Sequence, residues 1–181
     1  MEIVDLTLQP EPVREQAARL LVEHFDEPHG WQSVPDAIRE VTHISSEGFA
    51  RAVLDAGIVL GWVGGLPEYS NRVWELHPLV VRREWRHRGI GRKLVAAFET
   101  EAAVRGALTV TLGTDDDSGM TTLSGVDLYI DLPRKLAELK DLGRCHPFLF
   151  YQKLGFIVTG VMPDANGPGR PDIYMSKRIT R

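Results

Sequence analysis

Between residues 73 and 112 a β-prone run, a short basic turn with two glycines, an amphipathic helix and a second apolar run follow one another. No other stretch restricts the fold as strongly. A strand, a helix and a strand in immediate succession are most simply built as a crossover, which leaves the two strands parallel. The first strand covers 73–81. Pro78 lies inside it, cannot donate to a ladder, and so marks a bulge or an edge. Ile90, Leu94, Val95, Phe98 and Ala102 fall at helical spacing up to Gly106, and 108–112 is the second strand. Strand side chains alternate, so Glu75 and His77 share one face of the first strand, and Trp74, Leu76 and Pro78 the other. The pair reads either as part of a solvated face or as chemistry set beside a bulge whose freed backbone groups meet a ligand.

The turn itself is Arg86-His87-Arg88-Gly89-Ile90-Gly91-Arg92, of the pattern R-x-x-G-x-G. It opens a helix, whose first N–H groups are unpaired and whose dipole is positive at that end. Two residues without a Cβ let an anion approach the backbone closely. Six Lys and Arg side chains between Arg82 and Lys93 add charge. The segment matches neither G-x-G-x-x-G nor G-x-x-x-x-G-K-[ST]. On residues alone it is a phosphate cradle or a solvated basic bend.

The remaining chain mixes both element types. The patterns predict a strand over 2–8, a helix over 12–26, and a loop around Pro28, Gly30 and Pro35 that carries Trp31. They predict a short helix over 35–42 and two strands, 48–55 and 58–65, joined through Ala56-Gly57 as a hairpin. After a polar loop over 113–126, the patterns give helices over 132–142 and 148–154, then strands over 156–161 and 172–179. At 181 residues, with 43% hydrophobic and 25% charged side chains, the chain has the make-up of one globular domain, 1–181. A net charge of −4 disfavours nucleic acid as the main partner, and no apolar run reaches the roughly 20 residues of a membrane span. The N-terminus lacks the charged and apolar regions of a secretory signal, and the lone Cys145 excludes an internal disulfide, so a cytoplasmic protein is expected. No His and Cys cluster has metal-ligand spacing.

The strand end at Val80-Val81, the R-x-x-G-x-G turn and the following helix resemble the acyl-CoA site of the GNAT superfamily of N-acetyltransferases. Further blocks follow in order: Trp74-Glu75-Leu76-His77-Pro78-Leu79-Val80-Val81, Leu112-Gly113-Thr114-Asp115-Asp116, Asp127-Leu128-Tyr129, and His146-Pro147 with Phe150-Tyr151. Lys153-Leu154-Gly155, Pro163-Asp164-Ala165-Asn166-Gly167 and Pro171-Asp172-Ile173 complete the series. Together they resemble aminoglycoside 6′-N-acetyltransferases of the enterococcal chromosomal type, from about residue 58 to 179. The first 57 residues match loosely.

The resemblance implies an α/β fold. Its sheet is mixed and mostly antiparallel, flanked by helices, with a splayed parallel strand pair near 73–81 and 108–113 at the acetyl-CoA site. It implies direct transfer from acetyl-CoA to a primary amine in a ternary complex, without a metal, by a homodimer. Glu75 matches the carboxylate that takes the amine proton or positions the amine. His77 would relay a proton or orient a water; a structural histidine is the alternative. The Leu79 N–H would polarise the thioester carbonyl, and Leu79, Val80 and Val81 would pair with the pantetheine amides. Arg86, His87, Arg88, Gly89, Ile90, Gly91 and Arg92 would hold the pyrophosphate. Tyr151 would protonate the leaving thiolate; packing at a helix–strand corner is the alternative.

A cationic acceptor suits Asp115, Asp116 and Asp117, which equally fit a solvated loop, and Trp31, Tyr69 and Asp172 are further acceptor candidates. No local base or helix terminus activates Cys145 as an acyl carrier. Three functions compete: a 6′-N-acetyltransferase of aminoglycosides, an acetyltransferase of another amine such as a polyamine or a protein lysine, and a non-catalytic acyl-CoA sensor.

Overall fold

Residues 1–25 and 30–179 are described by the computed structural model, so Pro28 of the expected loop and the expected helix end at Asp26 lie outside them. Seven strands form one sheet: β1 (Glu2–Asp5), β2 (Phe49–Asp55), β3 (Ile58–Glu68), β4 (Val73–Val81), β5 (Thr109–Asp115), β6 (Ile157–Met162) and β7 (Asp172–Arg178). Their order is β1-β2-β3-β4-β5-β7-β6. The sheet is mostly antiparallel, and β4 and β5, joined by a crossover helix, are the parallel pair. Among the described residues five helices accompany it: α1 (Glu11–His24), α2 (Val34–Glu47), α3 (Ile90–Val104), α4 (Leu132–Ala137) and α5 (Phe148–Gln152). The chain divides into two units, Met1–Val110 with Arg178–Arg181, and Thr111–Lys177.

In the first unit β1 stops at Asp5 rather than continuing to Leu8. The Asp5 carboxylate accepts from Thr7 N at 2.9 Å and Thr7 Oγ1 at 2.6 Å, which turns Leu6–Leu8 into a 3-10 helix. α2 begins where Ser33 Oγ accepts from Asp36 N, and it outruns the predicted 35–42 because Ile44 continues the buried stripe of Ala37 and Val41. The β2–β3 turn has φ of 47° at Ala56 and 79° at Gly57, the paired left-handed residues that a two-residue hairpin requires. α1 and α2 bury Leu20, Leu21, Val41 and Ile44 in one cluster with Trp62 and Val80 of the sheet, and Trp62 Nε1 donates to Ala17 O at 3.0 Å. α3 places Phe98 5.5 Å from Phe49, whose ring is 5.1 Å from Trp74.

β4 carries the bulge that Pro78 announced. Val63 pairs with Leu79 and Gly65 with Leu76, so two residues of β4, His77 and Pro78, stand opposite Gly64 alone. The extra residue shifts the side-chain parity. Trp74 packs with Phe49, whereas Val80, beyond the bulge, joins the α1–α2 cluster. Gly64 makes this possible. A Cβ there would lie 2.3 Å from His77 O and 2.7 Å from Ile44 Cγ2. Gly64→Ala is therefore expected to cost about 1–3 kcal/mol, a fall of roughly 3–10 °C in Tm. A thermal melt checks this, and an unchanged Tm would mean that the bulge tolerates a side chain opposite it.

In the second unit α4 ends well before the predicted 142. Thr122 N donates to Lys140 O at 3.0 Å, Lys140 N donates to Thr122 Oγ1 at 3.1 Å, and Thr121 bridges Asp141, so the chain after Glu138 is drawn into extended pairing. α5 opens at Pro147, and the chain turns at Gly155 with φ of 90°. β6 and β7 form an antiparallel pair.

Candidate active site

Glu75 lies opposite Leu66, on the face of β4 turned toward α2. Burial pushes its carboxyl above the ordinary value; His77 draws it back and Glu68 raises it further. His77 Nε2 is 3.5 Å from Glu40 Oε1, and the His77 ring is 6.0 Å from that of Trp31. Trp31 in turn meets Phe25 edge-on at 5.3 Å. His77 beside Glu40 holds the Glu40 carboxyl below its ordinary value against burial, and His43 and a hydrogen bond from Trp31 act in the same sense. Three of the expected residues, Glu75, His77 and Trp31, thus stand together. Tyr69 opens the β3–β4 turn with φ of 47° and is 77% exposed.

After the bulge, Leu79 pairs with Val63 and Val80 is buried, so Val80 offers a ligand its backbone alone. The basic turn is folded back on the strand that precedes it. Arg86 Nε donates to Val81 O at 3.2 Å and Arg82 Nε to Val59 O at 2.7 Å. Burial, and then Arg83, push the Arg86 guanidinium below its ordinary value. Arg88 stacks 4.8 Å above the Trp85 ring. His87 and Gly89 both have positive φ, 60° and 82°, which bends the chain into α3. Gly89 is the N-cap and offers no side-chain cap, so the first N–H groups of α3 stay available to an anion. The Ile90 side chain is core, while His87, Arg88, Gly89 and Arg92 are exposed. Gly91 lies in the first turn of α3. This arrangement fits a pyrophosphate.

In the second unit the three consecutive aspartates separate by parity. Asp115 is exposed, and its Oδ1 accepts from Asn166 Nδ2 at 2.6 Å. Asp117 is exposed and accepts from Ser118 Oγ. Asp116 is turned inward: its Oδ1 accepts from Met120 N at 2.6 Å, and its Oδ2 from Thr121 N at 2.8 Å and Thr121 Oγ1 at 2.7 Å. Asp116 holds the loop together. Asp172 opens β7, and its carboxylate lies across Gly113, where a Cβ would come within 2.4 Å of Oδ2. Tyr151 is buried between Phe150 and Phe156, with ring distances of 5.1 and 5.7 Å, and burial pushes its phenol far above the ordinary value. The exposed Cys145 has φ of 60° and donates its N–H to Asp141.

Residues 14–121 match the acetyltransferase (GNAT) family. The chain belongs to the GNAT acetyltransferases. A solved aminoglycoside 6′-N-acetyltransferase complexed with coenzyme A is 38% identical to it, over 100% of this chain and 98% of that one, with a TM-score of 0.93. The aminoglycoside 6′-N-acetyltransferase from Enterococcus faecium is also 38% identical, with the same coverage and a TM-score of 0.90. An aminoglycoside 6′-acetyltransferase of type Ii is 33% identical, over 100% of this chain and 99% of that one, with a TM-score of 0.76. No curated protein sequence matches the chain.

Glu40 escaped the sequence reading, and Asn166 and His146 entered it only as members of matching blocks, with no part of their own. Glu40 sits on a helix with no motif, and its partners come from β4 and from the segment before α2. Asn166, part of a turn-rich stretch, fixes the Asp115 carboxylate. His146 is buried. Its Nδ1 accepts from Phe148 N at 3.1 Å, so Nε2 bears the hydrogen and donates to Asp115 O at 3.0 Å. Burial lowers its affinity for a second proton. A buried histidine beside a proline is a weak signal in sequence. Among the described residues no group of three or more His, Cys, Asp or Glu is arranged to hold a metal, and no helix is long and apolar enough to cross a membrane.

Proposed function

We propose that the chain, acting as one catalytic domain over 1–181, transfers the acetyl group of acetyl-CoA to the 6′-amine of an aminoglycoside by direct attack in a ternary complex. The observation that carries this reading is the 38% identity, end to end, to an aminoglycoside 6′-N-acetyltransferase complexed with coenzyme A. The uncapped start of α3 and the arginines before it suit the pyrophosphate, and the backbone of Leu79, Val80 and Val81 suits the pantetheine amides. Glu75 attracts the acceptor ammonium and takes a proton from it, directly or through a water. The neutral amine nitrogen then attacks the thioester carbonyl carbon. The Leu79 N–H stabilises the oxyanion; as the adduct collapses the C–S bond breaks, the thiolate leaves, and the extra proton on the adduct nitrogen is lost to water and, in net balance, ends on the CoA thiol. Tyr151, held protonated, donates a hydrogen bond or its proton to that sulfur. His77 orients a water beside Glu75. Trp31 and Tyr69, and Asp115, Asp117 and Asp172, are the residues assigned to the polycationic acceptor; Asp116 holds the turn that follows Asp115 and Asp117. A cytoplasmic homodimer that confers aminoglycoside resistance is part of the same reading.

Initial rates of CoA release from acetyl-CoA test it, with kanamycin, its counterpart bearing a 6′-hydroxyl, spermidine and a lysine-rich peptide as acceptors. Turnover restricted to the acceptor with the 6′-amine is expected. Preference for spermidine or the peptide would replace the aminoglycoside with another amine, and acetyl-CoA binding without turnover on any acceptor would favour a sensor.

A further inference from the structure

We propose that Glu40 is a positioning residue of the acetyl-transfer site, fixing His77 and Trp31 from α2 against the face of β4 that carries Glu75. This rests on the acetyl-transfer reading above, although the contacts themselves do not. The His77 ring meets a carboxylate from α2 and an indole from the segment before it. Glu40 Oε1 is 3.5 Å from His77 Nε2, and the Trp31 ring lies 6.0 Å from the same imidazole. The Glu40 side chain is 25% exposed, so its charge is partly desolvated and needs such partners.

His77 lies in the bulge, where its backbone is held against Gly64. Its side chain is 42% exposed, and Glu40 reaches it from α2. Among the described residues, Glu75 on β4, Glu68 on β3 and His43 on α2 are charged and titratable groups around the pair. Glu40 favours the imidazolium form of His77. An imidazolium two residues from Glu75 in turn favours the carboxylate form that the reaction requires, as the opposing effect of His77 on Glu75 shows. The indole, packed between Phe25 and the His77 ring, forms the adjoining wall.

Glu40→Gln keeps the size and a hydrogen-bond acceptor for Trp31 but removes the charge. The His77 imidazole resonances, followed by NMR against pH in wild type and variant, are expected to show its titration midpoint fall by about 0.5–1 unit. In kinetics, kcat/KM for the aminoglycoside acceptor is expected to fall about tenfold, with its acid limb moved to higher pH and KM for acetyl-CoA within about twofold. In a His77→Gln background, Glu40→Gln is expected to add less than about twofold, because its effect passes through His77. Glu40→Asp, which keeps the charge but shortens the reach, is expected to preserve more of the midpoint than of the rate.

An unmoved His77 midpoint in Glu40→Gln would overturn the proposal, and so would losses that multiply fully in the double variant. The NMR arm needs no substrate. A midpoint shift in a protein that acetylates no aminoglycoside would uphold the Glu40–His77 contact and place the failure in the acceptor assignment.

Discussion

Glu75→Gln is expected to lower kcat/KM for the amine acceptor by about 10²–10⁴-fold while acetyl-CoA affinity stays within about twofold. Gln fills the same space beside Leu66 and on the same face as His77, so the substitution removes a charge and a proton acceptor with little disturbance of packing. The loss has two components, which pH separates. An aminoglycoside amine is mostly protonated at neutral pH and must lose a proton before it can attack. If Glu75 takes that proton, kcat falls at every pH. If it chiefly attracts the ammonium, KM for the acceptor rises and kcat recovers once the amine is neutral in solution. Burial raises the Glu75 carboxyl, and a raised value makes it a better base that loses its function at a higher pH on acidification. The wild-type acid limb is therefore expected above the ordinary carboxylate range and absent in Glu75→Gln. Isothermal titration with acetyl-CoA and a pH series of initial rates with the acceptor provide the measurements. Unchanged turnover would remove Glu75 from the reaction.

What was legible in the sequence follows from local physics. The alternation along 73–81 placed Glu75 and His77 together, and the missing donor of Pro78 announced the bulge. Helical spacing placed α3, and the basic turn marked its start. Features set by distant residues were not legible. The parity change at the bulge moves Val80 to the α1–α2 cluster, although the alternation of the sequence runs on unbroken. α2 runs to Glu47 through Ser45 and Ser46 because Ile44 is buried, and α4 is cut short by the pairing of Thr121–Thr122 with Lys140–Asp141. Glu40 acquires its role only when α2 lies against β4. The aspartate run is an intermediate case. β5 buries Val110, Leu112 and Thr114 in turn, and that parity continues to Asp116. Three identical side chains could therefore have been sorted into one inward and two outward.

That sorting predicts the largest loss of stability from a single substitution. Asp116 is fully buried, and its two oxygens accept three hydrogen bonds, from Met120 N, Thr121 N and Thr121 Oγ1. Its own N–H donates to Pro171 O, so the residue is fixed at the backbone as well. Asp116→Ala leaves two amides and a hydroxyl without their acceptor in a buried turn. Losing bonds to an ionised group and stranding buried donors is expected to cost about 3–5 kcal/mol. Asp116→Asn keeps one carbonyl oxygen but turns an NH₂ toward N–H donors, so it is expected to recover less than half of that. Asp117→Ala, one residue on and exposed, is expected to change stability by less than about 0.5 kcal/mol. Denaturant melts of the three variants give the energies, and hydrogen exchange at the Met120 and Thr121 amides localises the loss. The neighbouring anchor from His146 Nε2 to Asp115 O remains in Asp116→Ala. Exchange should therefore accelerate in the 120–121 turn more than at the end of β5. A loss below about 1 kcal/mol for Asp116→Ala would mean that water replaces the carboxylate. Asp116 would then be open to solvent and available to a cationic acceptor.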